Sequence, residues 1–224
     1  MPPEKPLRVF VAIAPPAELQ RRMGAIQADL KRTVRGDIAW VRPEGMHLTL
    51  KFFGEVTRPA IEPICRSITE GLRGASSLTL SVRGIGVFPG LRRPRVIWLG
   101  TQGEVEALCA LQVKLAEGFV KIGFPPEQRP FQAHFTLARI RSPRGLAGLD
   151  KAVAQGQDLE VGTFHASVLT LIQSELHPSG ARYTPLTEFP LGAEATRYPQ
   201  GDMTAPSAGN GAPGNTAGAA MHKQ

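Results

Sequence analysis

The sequence predicts an α+β protein whose sheets are largely antiparallel. Short apolar runs with strand-like character alternate with amphipathic helical patterns over residues 1–190. Several of the strand-like runs are separated only by short turns, which is typical of hairpins. The chain is 42% apolar, enough for a sizeable core, and its 24 glycines and 20 prolines supply many turns. Hairpin-linked strands mixed with helices indicate this fold class.

Four helices and eight strands are predicted along the chain. The first helix opens at Pro15 and Pro16, because proline is tolerated in the first helical turn. Its apolar residues then recur every three or four positions, from Leu19 to Val34, along one face. The other helices are predicted over 59–72, 104–120 and 146–154, the last with a weak pattern. Strands are predicted over 7–13, 46–53, 78–82, 85–88, 96–99, 133–138, 164–173 and 183–189.

The last 34 residues, 191–224, differ from the rest of the chain in composition. They are rich in Gly, Ala and Pro, and only four of them are large and apolar: Leu191, Tyr198, Met203 and Met221. Such a segment buries too little surface to offset the entropy of ordering it. We therefore expect one folded domain over 1–190, followed by a disordered and dispensable tail over 191–224.

Composition also limits where the protein works and what it binds. No apolar run approaches the length of a membrane span, and the first apolar run is expected to be a strand rather than a signal peptide. The two cysteines, Cys65 and Cys109, are too few for a disulfide framework or a four-thiolate metal site. We expect a cytoplasmic protein.

The net charge of +7 comes mainly from arginine, which suits phosphate or nucleic-acid partners but is equally compatible with solubility alone.

Two short segments carry the same motif, His-x-Thr-Leu. One is His47-Leu48-Thr49-Leu50, and the other begins 87 residues later at His134 and contains Thr136. Both lie in predicted strands, where alternation places His and Thr on one face and the apolar residues on the other. One copy alone would be typical of an ordinary structural strand. Two copies, half a folded domain apart, favour a groove in which two imidazoles and two hydroxyls meet.

Cleavage of a phosphodiester needs the groups that this motif supplies. One group must take a proton from the attacking oxygen and another must give a proton to the leaving oxygen, and histidine can do either near neutral pH. Threonine hydroxyls can donate to the non-bridging oxygens, where charge accumulates. The sequence contains no nucleotide-triphosphate loop and no metal-site signature, so neither a nucleotide cofactor nor a metal is expected.

In their sequence context the motifs resemble those of the two-histidine phosphoesterases, specifically the bacterial RNA 2′,3′-cyclic phosphodiesterases, also called 2′-5′ RNA ligases. The resemblance covers about residues 7–189. It is carried by the segments 8–13, 40–54, 94–98 and 133–139, and nothing departs from the family pattern at the His or Thr positions.

The resemblance implies a fold of two pseudo-symmetric αβ lobes, interleaved in sequence, with the sheets forming a central groove and the helices outside. It also implies hydrolysis of a terminal 2′,3′-cyclic phosphate of RNA to a 2′-phosphate. By the same resemblance His47 is the proton donor, His134 is the proton acceptor, and Thr49, Thr136 and Arg139 hold the phosphate. No membrane, cofactor or obligate protein partner is implied, and we expect a monomer.

Arg139 raises a geometric question, since it lies five residues after His134. Simple alternation places these two side chains on opposite faces of a strand. The role that the resemblance gives to Arg139 therefore requires a bulge, or the end of the strand, near Ala138.

Other features leave alternatives open. One of Phe52, Phe53 and Phe131 is a candidate to stack on a base, although aromatic residues are more often core. Lys51 shares alternation parity with His47, so it either adds positive charge to the groove or is a solvated edge residue. The arginines of segment 92–95 either guide RNA or only line an exposed loop.

Three functions fit the motifs: a cyclic phosphodiesterase, a 2′-5′ ligase that runs the reverse chemistry at the same site, and a non-catalytic module that binds RNA ends. The two intact histidines favour catalysis over binding alone.

Overall fold

Residues 5–177 and 180–192 are described in the computed structural model, and they form nine β-strands and four α-helices. The strands are β1 (Leu7–Ile13), β2 (Arg35–Trp40), β3 (Leu48–Val56), β4 (Leu78–Phe88), β5 (Val96–Gly103), β6 (His134–Ala147), β7 (Glu160–Ala166), β8 (Val168–His177) and β9 (Gly180–Pro190). The helices are α1 (Ala17–Thr33), α2 (Ile61–Gly71), α3 (Val105–Lys121) and α4 (Leu149–Gln155). None of the helices in these ranges combines the length and the apolar character that a membrane span requires.

The strands form one curled sheet in the order β7-β4-β5-β6-β3-β1-β8-β9, and β2 pairs with β6 outside this path. The strand pairs of the described residues are antiparallel, which confirms the predicted class. The order is symmetric about its centre. We call β3, β1, β8 and β9 the first lobe, and β6, β5, β4 and β7 the second lobe. The lobes meet where Leu48 of β3 lies opposite Phe135 of β6.

The helices cross between the lobes. α1 follows β1 of the first lobe, yet it packs against β7 and α4 on the second. α3 follows β5 of the second lobe, yet it packs mainly against α2, and it contacts both β3 of the first lobe and β4 of the second. The helices and the back of the sheet enclose one large apolar cluster, which includes Met23, Leu48, Leu115 and Phe135. The opposite face of the sheet is left open for a groove.

Most predicted elements are present, and the differences have local causes. Segments 78–82 and 85–88 are one strand, β4, because Gly84 adopts φ 75° and the register with β5 shifts there. Segment 164–173 is two strands, because β7 ends at Ala166 and pairs with β4, whereas β8 begins at Val168 and pairs with β1. β2 was not predicted, because its sequence RGDIAW lacks an apolar run and its residues are half-buried or exposed. α4 begins at Leu149 rather than 146, after Gly148 with φ 79°.

Leu191, the first residue of the predicted tail, belongs to the folded part of the chain. Leu191 is buried, and its N–H donates to the Ser167 carbonyl over 2.7 Å. The Gly192 N–H donates to the Ala75 carbonyl over 2.9 Å. The remaining residues of the predicted tail, 193–224, lie outside the described residues.

Gly86 in β4 lies directly against the indole ring of Trp98, and this contact gives a test of the packing. A Cβ atom at position 86 would lie 2.1 Å from Trp98 Cζ2, so the ring would have to move. We expect Gly86→Ala to lower the free energy of unfolding by about 1–3 kcal/mol, as overpacking does. Urea denaturation at pH 7 measures this change.

Gly90→Ala is the matched control. A Cβ atom at position 90 meets nothing within 4 Å, so this variant should change stability by less than about 0.5 kcal/mol. Equal stabilities for the two variants would show that the Trp98 ring is not packed as described.

Candidate active site

A groove of about 1110 Å³ lies over the junction of the two lobes. It is lined by both motif histidines, both motif threonines and Arg139, so all five residues predicted from the sequence are brought together. His47 and His134 lie close enough to affect each other electrostatically. On the side of the first lobe, Phe10, Ala12 and Ile172 form a small buried apolar cluster, separate from the main core, and Phe10 contacts the His47 ring.

The two motifs occupy equivalent places in the lobes. His47 directly precedes β3, and His134 is the first residue of β6. Thr49 lies opposite Ala12 of β1, and Thr136 lies opposite Trp98 of β5. Each motif strand thus pairs with a neighbouring strand of its own lobe, and each presents His and Thr to the groove.

Each motif strand also carries a β-bulge three residues after its histidine. In β6, Thr136 lies opposite Trp98 and Ala138 opposite Ile97, so Leu137 is the extra residue. In β3, Thr49 lies opposite Ala12 and Lys51 opposite Val11, so Leu50 is the extra residue. A bulge reverses the alternation of side chains beyond it.

The bulge at Leu137 answers the question that Arg139 raised. Leu137 and Ala138 are both fully buried, and the next residue, Arg139, is exposed and lines the groove. The bulge that the sequence required is therefore present, one residue before Ala138. In the first lobe the corresponding residue is Phe52, which is 40% exposed, lies opposite Phe10 and also lines the groove.

Lys51 lines the groove at its edge, but the bulge at Leu50 breaks the alternation with His47 from which this place was predicted. It lies opposite Val11, whose side chain belongs to the main core. Lys51 is buried, and its Nζ donates to the Pro125 carbonyl over 2.7 Å and lies 3.1 Å from Glu127 Oε1. It ties the segment between α3 and β6 to the first lobe at the edge of the groove.

Both imidazoles are held by the carbonyl two residues before them. His134 Nδ1 lies 2.7 Å from the Gln132 carbonyl, and the His47 ring is hydrogen-bonded to the Gly45 carbonyl. Because only an N–H can donate to a carbonyl, this contact assigns the proton of a neutral His134 to Nδ1 and leaves Nε2 as an acceptor.

Aromatic rings complete the two imidazole sites. The His47 ring stacks on Phe10 with centroids 4.5 Å apart and planes 26° apart, and Tyr183 meets it edge-on at 5.1 Å. The His134 ring meets Phe88 edge-on at 4.9 Å, and Trp98 lies 6.4 Å away. The sequence did not predict a place for Tyr183 in the site, because nothing in its strand pattern marks it; its ring would meet a Cβ at Gly45 at 2.8 Å.

The electrostatic environment keeps both imidazoles neutral in the free protein at neutral pH. Burial lowers the pKa of His47 from 6.5 to about 4, with further lowering by the charge of Arg139 and by His134, against the opposing hydrogen bond to Gly45. Burial also lowers the pKa of His134, assisted by Arg139 and opposed by the hydrogen bond to Gln132. Burial raises the pKa of Tyr183.

Arginine dominates the charge around the groove. Arg93, Arg95, Arg129 and Arg139 line it, whereas Glu127 is the one acidic lining residue in the described part of the chain and is paired with Lys51. Such a surface attracts an anion such as a phosphodiester. Within residues 5–177 and 180–192, no three His, Cys, Asp or Glu side chains are grouped to hold a metal ion.

Of the three aromatic residues considered for base stacking, two line the groove and one belongs to the core. Phe52 and Phe131 line the groove. Phe53 packs edge-on against Phe119 and Phe124, at 4.8 and 4.9 Å, and so belongs to the core. Of the arginine segment, Arg93 and Arg95 line the groove.

Comparison with known proteins gives a consistent result. Residues 13–98 and 99–183 each match the family described as LigT-like phosphoesterase, so each match contains one motif. The RNA 2′,3′-cyclic phosphodiesterase of Methanothermobacter thermautotrophicus is 37% identical over 185 residues, which is 83% of this chain and 99% of the relative.

Two solved structures have the same fold. The crystal structure of TT0787 of Thermus thermophilus has a TM-score of 0.68 and 26% identity, and covers 83% of this chain and 98% of its own. The crystal structure of Escherichia coli LigT complexed with 3′-AMP has a TM-score of 0.66 and 26% identity, and covers 84% of this chain and 100% of its own.

The lowered pKa of His47 predicts a loss of stability in acid. Below pH 6.5 the unfolded chain binds a proton at this residue, whereas the folded protein does not until about pH 4. The stability of the fold therefore falls as the pH drops through this window. His47→Gln should remove roughly 2–3 kcal/mol of the difference in unfolding free energy between pH 7 and pH 4.5. Urea denaturation at the two pH values measures it.

The control is His165→Gln, since His165 is exposed and lies outside the groove lining. It should leave most of the acid sensitivity in place. If His47→Gln and His165→Gln lose stability equally between the two pH values, burial of His47 is not the cause.

Proposed function

Because the chain belongs to the LigT-like phosphoesterase family, we propose that it hydrolyses the 2′,3′-cyclic phosphate ends of RNA to 2′-phosphomonoesters by acid–base catalysis with His47 and His134. The observation that supports this most directly is the groove that holds both imidazoles, both threonines and Arg139. The related Methanothermobacter protein carries the name of this activity. A 3′-nucleotide occupies the complex of the Escherichia coli protein.

The reaction replaces one P–O bond by another. His134 Nε2 accepts a proton from water as the water oxygen bonds to phosphorus. The bond between phosphorus and the 3′ oxygen breaks, and His47 gives its proton to that oxygen. The product keeps the phosphate on the 2′ oxygen, and His134 has gained the proton that His47 lost. Exchange with solvent restores the starting state.

The hydrogen bonds at the two imidazoles suit these roles. Donation from His134 Nδ1 to the Gln132 carbonyl leaves the Nε2 lone pair free to act as the base. The His47 ring is bonded to the Gly45 carbonyl, so in its charged form one N–H is engaged there and the other is free to donate.

His47 must acquire its proton when substrate binds, since its pKa of about 4 leaves it neutral in the free protein at pH 7. The phosphodiester anion supplies the reason. A negative charge beside the imidazole offsets Arg139 and raises the pKa of His47. Binding of substrate is then accompanied by uptake of a proton.

The remaining groove residues bind the substrate. Thr49 and Thr136 donate to the non-bridging phosphate oxygens, and Arg139 adds a charged donor on the same face. Phe52 and Phe131 offer ring faces for the terminal base, and Arg93, Arg95 and Arg129 offer contacts for the RNA backbone. Imidazole, hydroxyl and guanidinium groups perform these steps without a metal or a cofactor. Because one chain supplies the groove residues named above, we propose a monomer. We also propose that the protein works in the cytoplasm.

Replacement of the leaving 3′ oxygen by sulfur assigns the two roles. A thiolate departs without an acid, so the donor becomes dispensable while the base does not. On the natural cyclic phosphate, His47→Ala and His134→Ala should each lower turnover by about 10²–10⁴-fold. On the sulfur substrate His47→Ala should recover most of this loss and His134→Ala should not. Single-turnover rates in EDTA measure the chemical step.

The other functions give different results in the same assay. Rescue of His134→Ala instead of His47→Ala would exchange the two roles, and near wild-type turnover of either variant would refute the acid–base pair. Joining of the cyclic phosphate end to an added 5′-hydroxyl RNA, in preference to hydrolysis, would identify a 2′-5′ ligase. Binding of the RNA without turnover would identify an RNA-end binding module.

Arg139 gives a second test through pH. Its charge lowers the pKa of both His47 and His134, so Arg139→Ala should raise both. The kcat/KM profile, which reports the free enzyme, should be a bell centred below pH 6.5 in the wild type and should move to higher pH in Arg139→Ala, with a lower maximum. Steady-state kinetics across pH 4–9 measure the shift.

The control is Arg141→Ala. Arg141 lies two residues farther along β6, is paired with Asp37 at 3.8 Å and does not line the groove. Its profile should coincide with that of the wild type. An unshifted profile for Arg139→Ala would show that Arg139 does not act on the imidazoles.

A further inference from the structure

Two buried glutamines, one on α1 and one on α3, are hydrogen-bonded to the motif strands at matching positions. Gln27 of α1 is 1% exposed and Gln112 of α3 is 7% exposed. Gln27 Nε2 donates to the Leu137 carbonyl over 2.9 Å and to the Val41 carbonyl over 2.6 Å. Gln112 Nε2 donates to the Leu50 carbonyl over 3.3 Å. A buried amide is unfavourable unless it is hydrogen-bonded, so these contacts matter to both partners.

The carbonyls that these glutamines reach belong to the two bulge residues. Leu50 and Leu137 are the extra residues of β3 and β6, each three positions after its histidine. The extra residue of a bulge is left out of the regular ladder, and its buried carbonyl needs another donor. Gln27 and Gln112 supply that donor from the helices behind the sheet, joined at Leu137 by the Val41 N–H over 2.9 Å.

The bulges decide which residues enter the groove. Without the extra residue, Arg139 would lie on the opposite face of β6 from His134, and Phe52 would lie on the opposite face of β3 from His47. With it, Arg139 and Phe52 both line the groove, two residues beyond the bulge. A glutamine that stabilises a bulge therefore stabilises the orientation of one groove residue.

We propose that Gln27 and Gln112 are a pair of positioning residues, Gln27 holding Arg139 against the phosphate and Gln112 holding Phe52 against the base. This inference rests on the proposed function, and it adds that each glutamine supports a different contact with the substrate. Each of the two helices sets one substrate contact through the motif strand to which its glutamine is hydrogen-bonded. Both act through the backbone of the bulge: Gln27 lies outside the groove lining, and Gln112, which is one of the lining residues, is hydrogen-bonded to the Leu50 carbonyl.

Crossed double-mutant cycles test the assignment. Methionine has about the length of glutamine and no donor, so Gln27→Met and Gln112→Met remove the hydrogen bonds with little change in volume. We expect each variant to lower kcat/KM for a nucleoside 2′,3′-cyclic phosphate by about 10- to 100-fold, as small displacements of positioning groups do. In the Arg139→Ala background, Gln27→Met should cost less than about 3-fold further, while Gln112→Met should keep its full effect.

The reciprocal cycle uses Phe52→Ala, in which Gln112→Met should lose its effect and Gln27→Met should keep it. Each glutamine is thus the matched control for the other. Equilibrium binding of inorganic phosphate provides a second readout: Gln27→Met should weaken it to the level of Arg139→Ala, and Gln112→Met should leave it unchanged. If Gln27→Met does not fold, Gln27→Asn, whose shorter amide cannot span the same distance, takes its place in the cycle.

Equal effects of Gln27→Met in the presence and absence of Arg139 would overturn the inference, since a general loss of packing acts regardless of Arg139. Loss of phosphate binding in both glutamine variants would overturn it as well. Failure of the proposed function would be visible elsewhere, as wild-type turnover in His47→Ala or His134→Ala, and would leave the phosphate-binding comparison intact.

Discussion

The antiparallel contact of Leu48 with Phe135 is the constraint on which the groove depends. Each residue directly follows a motif histidine, and both are fully buried, so the centre of the pseudo-symmetry is fixed in the core. Side chains on either side of a buried strand residue point to the opposite face. The contact therefore directs four side chains, two His and two Thr, to the same open face. Leu48 and Phe135 are the one residue pair that links β3 and β6 in the described sheet, and the groove lies over this junction.

Burial of the imidazoles has two opposite effects on the acid role proposed for His47. Withdrawal from water lowers the pKa of His47 to about 4, which removes the proton that the proposed donor needs. The same low dielectric strengthens the interaction with any anion that enters. A phosphodiester brings a full negative charge to a site that already contains Arg139, and the balance between the two charges decides the protonation of His47. In the proposed mechanism the acid function of His47 is thereby linked to occupancy of the groove by substrate.

The sequence predicted those features that local patterns encode. β1 has the predicted bounds, and α3 is shifted by one residue, because continuous apolar runs and regular 3.6-residue periodicity are strong local signals. The five residues that were expected in the groove, from the repeated motif and the family resemblance, line it. β2 was not predicted, because an edge strand that is at most half-buried has few apolar residues to mark it. The sequence alone showed that the role of Arg139 needs a bulge near Ala138. It could not show which residue stabilises that bulge, because Gln27 lies 110 residues away from Leu137 in the chain.

The two halves of the site differ in ways that suit the two different roles proposed for the histidines. The two histidines have equivalent backbone partners, Gly45 and Gln132, so the motif itself does not distinguish acid from base. The differences lie in the neighbours: a stacked Phe10 with Tyr183 at one ring, and edge-on Phe88 with Trp98 at the other. They continue after the bulges, where the first lobe presents an aromatic ring at position 52 and the second a guanidinium at position 139. A substrate with a flat apolar base at one end and an anionic phosphate at the other fits such a pair in one orientation only. Under the proposed function, the equivalent bulges allow a duplicated scaffold to orient an unsymmetrical molecule, and this orientation gives the two His-x-Thr-Leu motifs their different proposed roles.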